Sequence, residues 1–215
     1  MSDRDLARWL ESLPDDWTRG LDRSVIERAC AAYQSPGRHY HSWAHVVACV
    51  DQLRTVPSER PRLLFLALLF HDAVYVPGRS DNEVQSARFA SEVLGANASL
   101  TPAELTAIEQ LILATRDHHA RIGVAEADEA TLLDIDLSIL AAPRAEYMRY
   151  AREIHDEWVP AAATDAQFRI GRGAFLARML AAPHVFLTAE GQRRGDDSAR
   201  ANMTWELAAL SPLAP

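Results

Sequence analysis

The chain has 215 residues, 48% apolar and 24% charged, with 9 glycines and 11 prolines. That balance suits a globular chain with a sizeable core and excludes intrinsic disorder over most of the length. The formal charge of −8 argues against nonspecific nucleic-acid binding, which needs phosphate-neutralising Lys and Arg, and no apolar run approaches the ~20 residues of a membrane-spanning helix.

The pattern is helical nearly throughout. Leu6, Trp9, Leu10 and Leu13 keep helical spacing and stop at Pro14; Leu21, Val25, Ala29 and Ala32 or Tyr33 repeat the rhythm and stop at Ser35-Pro36-Gly37. Trp43, Val46, Val47, Val50 and Leu53 form the stripe of a third helix, ended by Pro57. Leu63 to Phe70 is apolar on every side, and its Leu and Ala content predicts a buried helix rather than a strand. A loop at Val76-Pro77-Gly78-Arg79 follows. Ser80 and Glu83 have the spacing of a capping box with Ser80 as N-cap, and Thr101-Pro102-Ala103-Glu104 is a second box. It opens a helix carrying Leu105, Ile108, Leu111, Ile112 and Thr115; Leu132, Leu133, Leu137 and Leu140 mark another. Three amphipathic segments follow at roughly 144–158, 165–182 and 195–210. The expectation is one all-α domain, residues 1–215, of about nine or ten helices.

Eight histidines are present, six of them in three short stretches: His39, His41 and His45; His71; and His118 with His119. His41 and His45 are four apart and share a helix face, with His45 beside the buried stripe of Val46 and Val50. His71-Asp72 ends the apolar run, where a carboxylate is costly unless paired or bound to a metal. A neutral His on a carbonyl, or an Asp capping a neighbouring helix, would explain that dipeptide alone. Downstream, Asp134 and Asp136 stand in the very apolar stretch Leu132–Leu140. Two histidines with one or two carboxylates suit a divalent ion of intermediate hardness. Cys30 and Cys49 have no paired zinc spacing and read as two buried thiols in a reducing compartment. The first residues, Met-Ser-Asp-Arg-Asp, carry no apolar signal core, so the expected location is the cytoplasm.

The order His45, His71-Asp72, Asp136 resembles the HD superfamily of metal-dependent phosphohydrolases. The valine-rich helix after His45, the Leu/Ala-rich helix closed by His71-Asp72, and Asp134-Ile135-Asp136-Leu137 carry the resemblance. Arg38-His39-Tyr40-His41, Asp81-Asn82-Glu83 with Ser86-Ala87, Ala114-Thr115 with His118, and Gly171-Arg172 look like an uncharacterised bacterial branch of it. The resemblance implies an HD-domain-like helical bundle with its core at about 38–141 and further helices at about 143–215. It implies one or two divalent ions (Mn, Ni, Co, Fe, Zn or Mg) held by His45, His71, Asp72 and Asp136, with Asp136 preferred over Asp134. Water activated by the ion would attack phosphorus, with Asp72 in the catalytic centre and Glu83 as an outer acid or base.

Around such an ion, Arg38, His41, Arg116 and His118 are the candidates for holding substrate, because arginine grips phosphate with two hydrogen bonds. Arg79 and Arg172 read better as surface charges or ion pairs. The expected substrate is a small phosphorylated metabolite, a nucleotide first among them, and a homodimer is compatible with the chain. Two other classes fit the same residues. A di-iron oxygenase on this scaffold would recruit extra histidines such as His118 and His119. A non-catalytic module would bind a nucleotide without turning it over.

Overall fold

A computed structural model of the chain describes residues 3–96 and 99–210. Among the described residues the regular structure is entirely helical, with eleven α-helices and three short 3-10 helices. Among the described residues no helix is long and apolar enough to cross a membrane. The described residues gather into two compact units, one drawn from 1–36, 41–75 and 81–116, the other from 37–40, 76–80 and 117–215.

The first unit holds α1 (Asp3–Glu11), α2 (Asp15–Thr18), α3 (Arg23–Ala32), α4 (Trp43–Leu53), α5 (Pro61–Phe70), α6 (Asn82–Gly95) and α7 (Pro102–Ala114). α5 is its axis. Every residue from Leu63 to Phe70 is buried, which is why the sequence there has no polar face, and α2, α3, α4, α6 and α7 all pack against it. Pro61 starts α5 at a position where the missing N–H costs nothing. Trp9 and Trp17 cover Phe65, and Phe89 of α6 meets Phe70 edge-on. α7 opens with the expected capping box, Thr101 and Glu104 satisfying each other's backbone N–H.

The box expected at Ser80 does not form. α6 starts one residue later, with Asp81 at the N-cap position and no side-chain cap. Asp81 organises this turn instead: its carboxylate accepts from Gln85 Nε2 at 2.8 Å and its carbonyl from the Gln85 N–H at 3.0 Å. Glu83 therefore lies in the first turn of α6, partly buried.

The second unit holds α8 (Ala127–Asp136), α9 (Arg144–Trp158), α10 (Asp165–Ala181) and α11 (Ala189–Leu210), with a 3-10 helix at Leu137–Ala141. Its core gathers Leu140, Tyr147, Phe168, Leu176, Phe186 and Met203 with their neighbours. α11 begins at Ala189, not near 195. Its first turns pass so close to neighbouring side chains that a Cβ at two positions would clash. A Cβ at Gly191 would strike the Asp134 carboxylate and lie 2.8 Å from Phe186 Cβ; one at Gly195 would lie 3.0 Å from Ala141 Cβ. A buried ion pair crosses this core. Arg172 donates to both Glu206 oxygens, at 2.8 and 3.0 Å, and to the Tyr150 hydroxyl at 3.1 Å, while Tyr147 donates to Glu206. Arg172 is thus a structural ion pair, as its sequence context suggested.

Candidate metal centre

α4 and α5 bring two imidazoles together. His45 lies in the first turn of α4 and His71 caps α5; both are buried. Their Nε2 atoms stand 3.1 Å apart. His71 Nδ1 is 2.9 Å from the Leu68 carbonyl, one turn back on α5. A carbonyl only accepts, so Nδ1 carries the proton and Nε2 of the neutral ring keeps its lone pair. Asp72 Oδ2 lies 3.1 Å from His71 Nε2 and 4.0 Å from His45 Nε2.

The chain around Asp72 is fixed from two helices. The Tyr33 hydroxyl, at the end of α3, accepts the Asp72 N–H at 3.2 Å. The buried Ser86 hydroxyl of α6 accepts from the Val74 N–H at 3.0 Å and donates to the Val74 carbonyl at 3.1 Å. These contacts hold the turn that leaves α5, and with it the direction of the Asp72 side chain.

His45, His71, Asp72 and Asp136 each offer one ligand atom, and these atoms lie within 4.8 Å of one another. The four residues expected as ligands are therefore a group that could hold a metal ion. The donor set fits one: two imidazole nitrogens and two carboxylate oxygens match Mn, Fe, Co, Ni or Zn. The carbonyl that fixes His71's tautomer is the outer support such ligands use.

Asp134, the alternative to Asp136, is committed elsewhere. Its Oδ1 accepts from the Leu187 N–H at 2.6 Å, and its Oδ2 from the Thr188 N–H at 2.9 Å and the Thr188 hydroxyl at 2.6 Å. It organises the approach to α11. Burial pushes its carboxyl above the ordinary carboxylate range, against the downward pull of those hydrogen bonds.

The remaining candidates divide. His41 is half-buried, stacked on Tyr75 with ring centres 4.0 Å apart, and its Nε2 is 4.0 Å from Asp72 Oδ2. Arg38 is half-buried in the 37–40 segment of the second unit. Arg116 is exposed in the short 3-10 helix Thr115–Asp117. His118 is buried and donates from Nε2 to the Val185 carbonyl at 2.9 Å; it is not in the ligand group. The side chain of His119 lies outside the described residues. Neither cysteine forms a disulfide, and both are buried. Cys49 Sγ lies 3.7 Å from each His45 ring nitrogen, a contact that sequence reading did not anticipate although the two residues are one helical turn apart.

Comparison of the chain with family models, with curated proteins and with solved structures returns no match.

Proposed function

We propose that the protein is a cytoplasmic metal-dependent phosphohydrolase acting on a small phosphorylated metabolite of the nucleotide kind. The observation that carries this reading is the convergence of His45, His71, Asp72 and Asp136, the same four residues that resemble the HD ligand set. A divalent ion bound there supplies Lewis-acid chemistry, acidifying water and drawing charge from a phosphoryl oxygen.

The chain's own residues do the rest. His71, held through Nδ1 by the Leu68 carbonyl, presents Nε2, and His45 presents its Nε2 toward the same point. Asp72 and Asp136 supply negative charge that offsets the ion's. His41, stacked on Tyr75, stands beside the Asp72 carboxylate as a hydrogen-bond donor to phosphate. Arg38 and Arg116 provide guanidinium forks for the phosphate oxygens, and Glu83 takes the outer acid or base role. The two buried thiols suit a reducing compartment.

The test is a panel of nucleotides and sugar phosphates assayed for phosphate release with Mn, Ni, Co, Fe, Zn and Mg. Release that needs a divalent ion and disappears in His71→Ala supports the reading. Absence of release across the whole panel with every ion supplied contradicts it.

A further inference from the structure

Three imidazoles face one carboxylate oxygen in the first unit. Asp72 Oδ2 lies 3.1 Å from His71 Nε2 and 4.0 Å from the Nε2 of both His45 and His41. Two of these rings are held by their helices: His45 stands in the first turn of α4 and His71 caps α5. His41 is not. α4 begins at Trp43, with Ser42 extended at its N-cap, so His41 lies before the helix and its spacing of four from His45 fixes nothing. A histidine in such a segment has about six conformers, three wells at χ1 and two at χ2, and only some of them aim Nε2 at Asp72.

Tyr75 selects among them. Its ring is stacked on the His41 imidazole, with centres 4.0 Å apart and planes 26° from parallel. The His45 ring meets His41 edge-on at 6.2 Å. Tyr75 is itself placed by α6. The fully buried Ser86 hydroxyl takes both the N–H and the carbonyl of Val74, the residue before Tyr75, and the Ala73 N–H donates to the Phe70 carbonyl at 3.0 Å. The backbone that carries Tyr75 is thus tied at 73 and at 74. His41, Asp72, Tyr75 and Ser86 all belong to one compact unit, so the line from α6 to the Asp72 carboxylate runs through a single packed body. A stack covers a ring's face and not its edge, and 17% of the His41 side chain is exposed beside an Asp72 side chain that is 15% exposed.

We propose that Tyr75 is a positioning residue for His41: its ring holds the imidazole in the conformer that keeps Nε2 beside Asp72, where the phosphate group of the substrate docks against the bound ion. This rests on the phosphohydrolase reading, in which His41 donates to phosphate. Tyr75 makes no bond to phosphate. It acts by stacking, so its ring matters and its hydroxyl does not.

The experiment uses the full chain loaded with Mn²⁺, with inorganic phosphate as the probe and affinity read by calorimetry. Tyr75→Leu frees the His41 ring among its conformers, and affinity is expected to fall in proportion to the conformers regained, about 3–6-fold. Tyr75→Phe keeps the stack and is expected to stay within about 1.5-fold of the unmodified chain. His41→Ala removes the donor and is expected to weaken phosphate binding at least ~10-fold. Tyr75→Leu combined with His41→Ala should bind no more weakly than His41→Ala alone, because the two act through one contact. Manganese affinity is expected to stay the same in all of them. The ring itself is followed by NMR in the zinc-loaded chain: the His41 ring protons, shielded by the face of Tyr75, keep their upfield positions in Tyr75→Phe and lose them in Tyr75→Leu.

Should Tyr75→Leu not fold, Tyr75→Met replaces it with the same expectation. Unchanged phosphate affinity in the variant without the ring overturns the proposal. So does a Tyr75→Phe that falls as far as Tyr75→Leu, a loss of manganese in Tyr75→Leu, or losses that add in the double variant. A manganese-loaded, unmodified chain that binds no phosphate overturns the phosphohydrolase reading, and this inference with it, even where the NMR signature of the stack is present.

Discussion

Asp134 and Asp136 stand two residues apart in one helix; Asp134 caps the approach to α11, whereas Asp136 belongs to the group that could hold a metal ion. Asp134→Ala removes the acceptor for the Leu187 and Thr188 N–H groups and for the Thr188 hydroxyl. The hydroxyl can rotate to another partner, but the two backbone donors cannot. A buried donor left unsatisfied costs about 1–3 kcal/mol, so the two together cost about 2–6 kcal/mol. Relief of the desolvation that burdens the Asp134 carboxyl returns part of this, which leaves about 2–4 kcal/mol. For a chain of this size that lowers the melting temperature by about 4–16 °C, with metal binding unchanged. Asp136→Ala should do the reverse. It removes one of the four residues that could hold an ion, and metal affinity is expected to fall by more than the ~10–100-fold that loss of an outer partner costs. The metal-free melting temperature moves by less than ~2 °C. The assay is thermal unfolding with and without chelator, beside metal content by mass spectrometry. A metal-free Asp134→Ala that melts like the unmodified chain, or an Asp136→Ala that keeps its metal, would refute the assignment.

Two further outcomes follow from the second unit. Arg172→Met leaves the Glu206 carboxylate buried without its guanidinium, and loss of one partner of such a pair costs about 3–5 kcal/mol; equilibrium unfolding should show it, and Arg172→Met combined with Glu206→Leu should recover more than half. His155 bridges α9 to the start of α10, with Nε2 3.0 Å from Asp165 and Nδ1 3.2 Å from Asp156. Burial alone would lower its pKa, but those two carboxylates outweigh it and raise it above the ordinary histidine value. With the folded value above the unfolded one, its contribution to stability is fully present below about pH 6.5 and is lost as pH rises through the folded pKa. Thermal unfolding across pH 5–8.5 should show this fall, and His155→Asn should flatten it.

The parts of this molecule that sequence made legible are those where local pattern and tertiary role agree. α5 could be read because a helix buried on every side has no polar residue from Leu63 to Phe70. The four residues that could hold a metal ion were legible because each is a polar residue in an apolar stretch, where burial without a partner is costly. The box at Thr101 forms as its spacing predicts, and an equivalent one with the same spacing forms at Thr164 and Gln167. Other features have no local signature. The Arg172–Glu206 pair, the Asp134 cap on Leu187 and Thr188, and the bond from the His39 N–H to Glu157 join residues 34 to 118 positions apart, and only the folded chain brings them together. The early turns of α11 have no local signature for a related reason: two glycines lower helix propensity, whereas close packing on Asp134 and Phe186 requires them. The shift of α6 from Ser80 to Asp81 is smaller. Two adjacent residues are both good caps, and the bonds of Asp81 to Gln85 decide between them.

The metal content of the purified protein, measured beside an Asp72→Ala variant, tests the candidate centre most directly. Near-stoichiometric Mn, Fe, Co, Ni or Zn is expected in the native chain and little in the variant, and chelation should lower the melting temperature of the native chain alone. A native chain that carries no metal, and takes up none when offered manganese, nickel, iron or zinc, would make His45, His71, Asp72 and Asp136 a hydrogen-bonded structural cluster and would contradict the hydrolase reading.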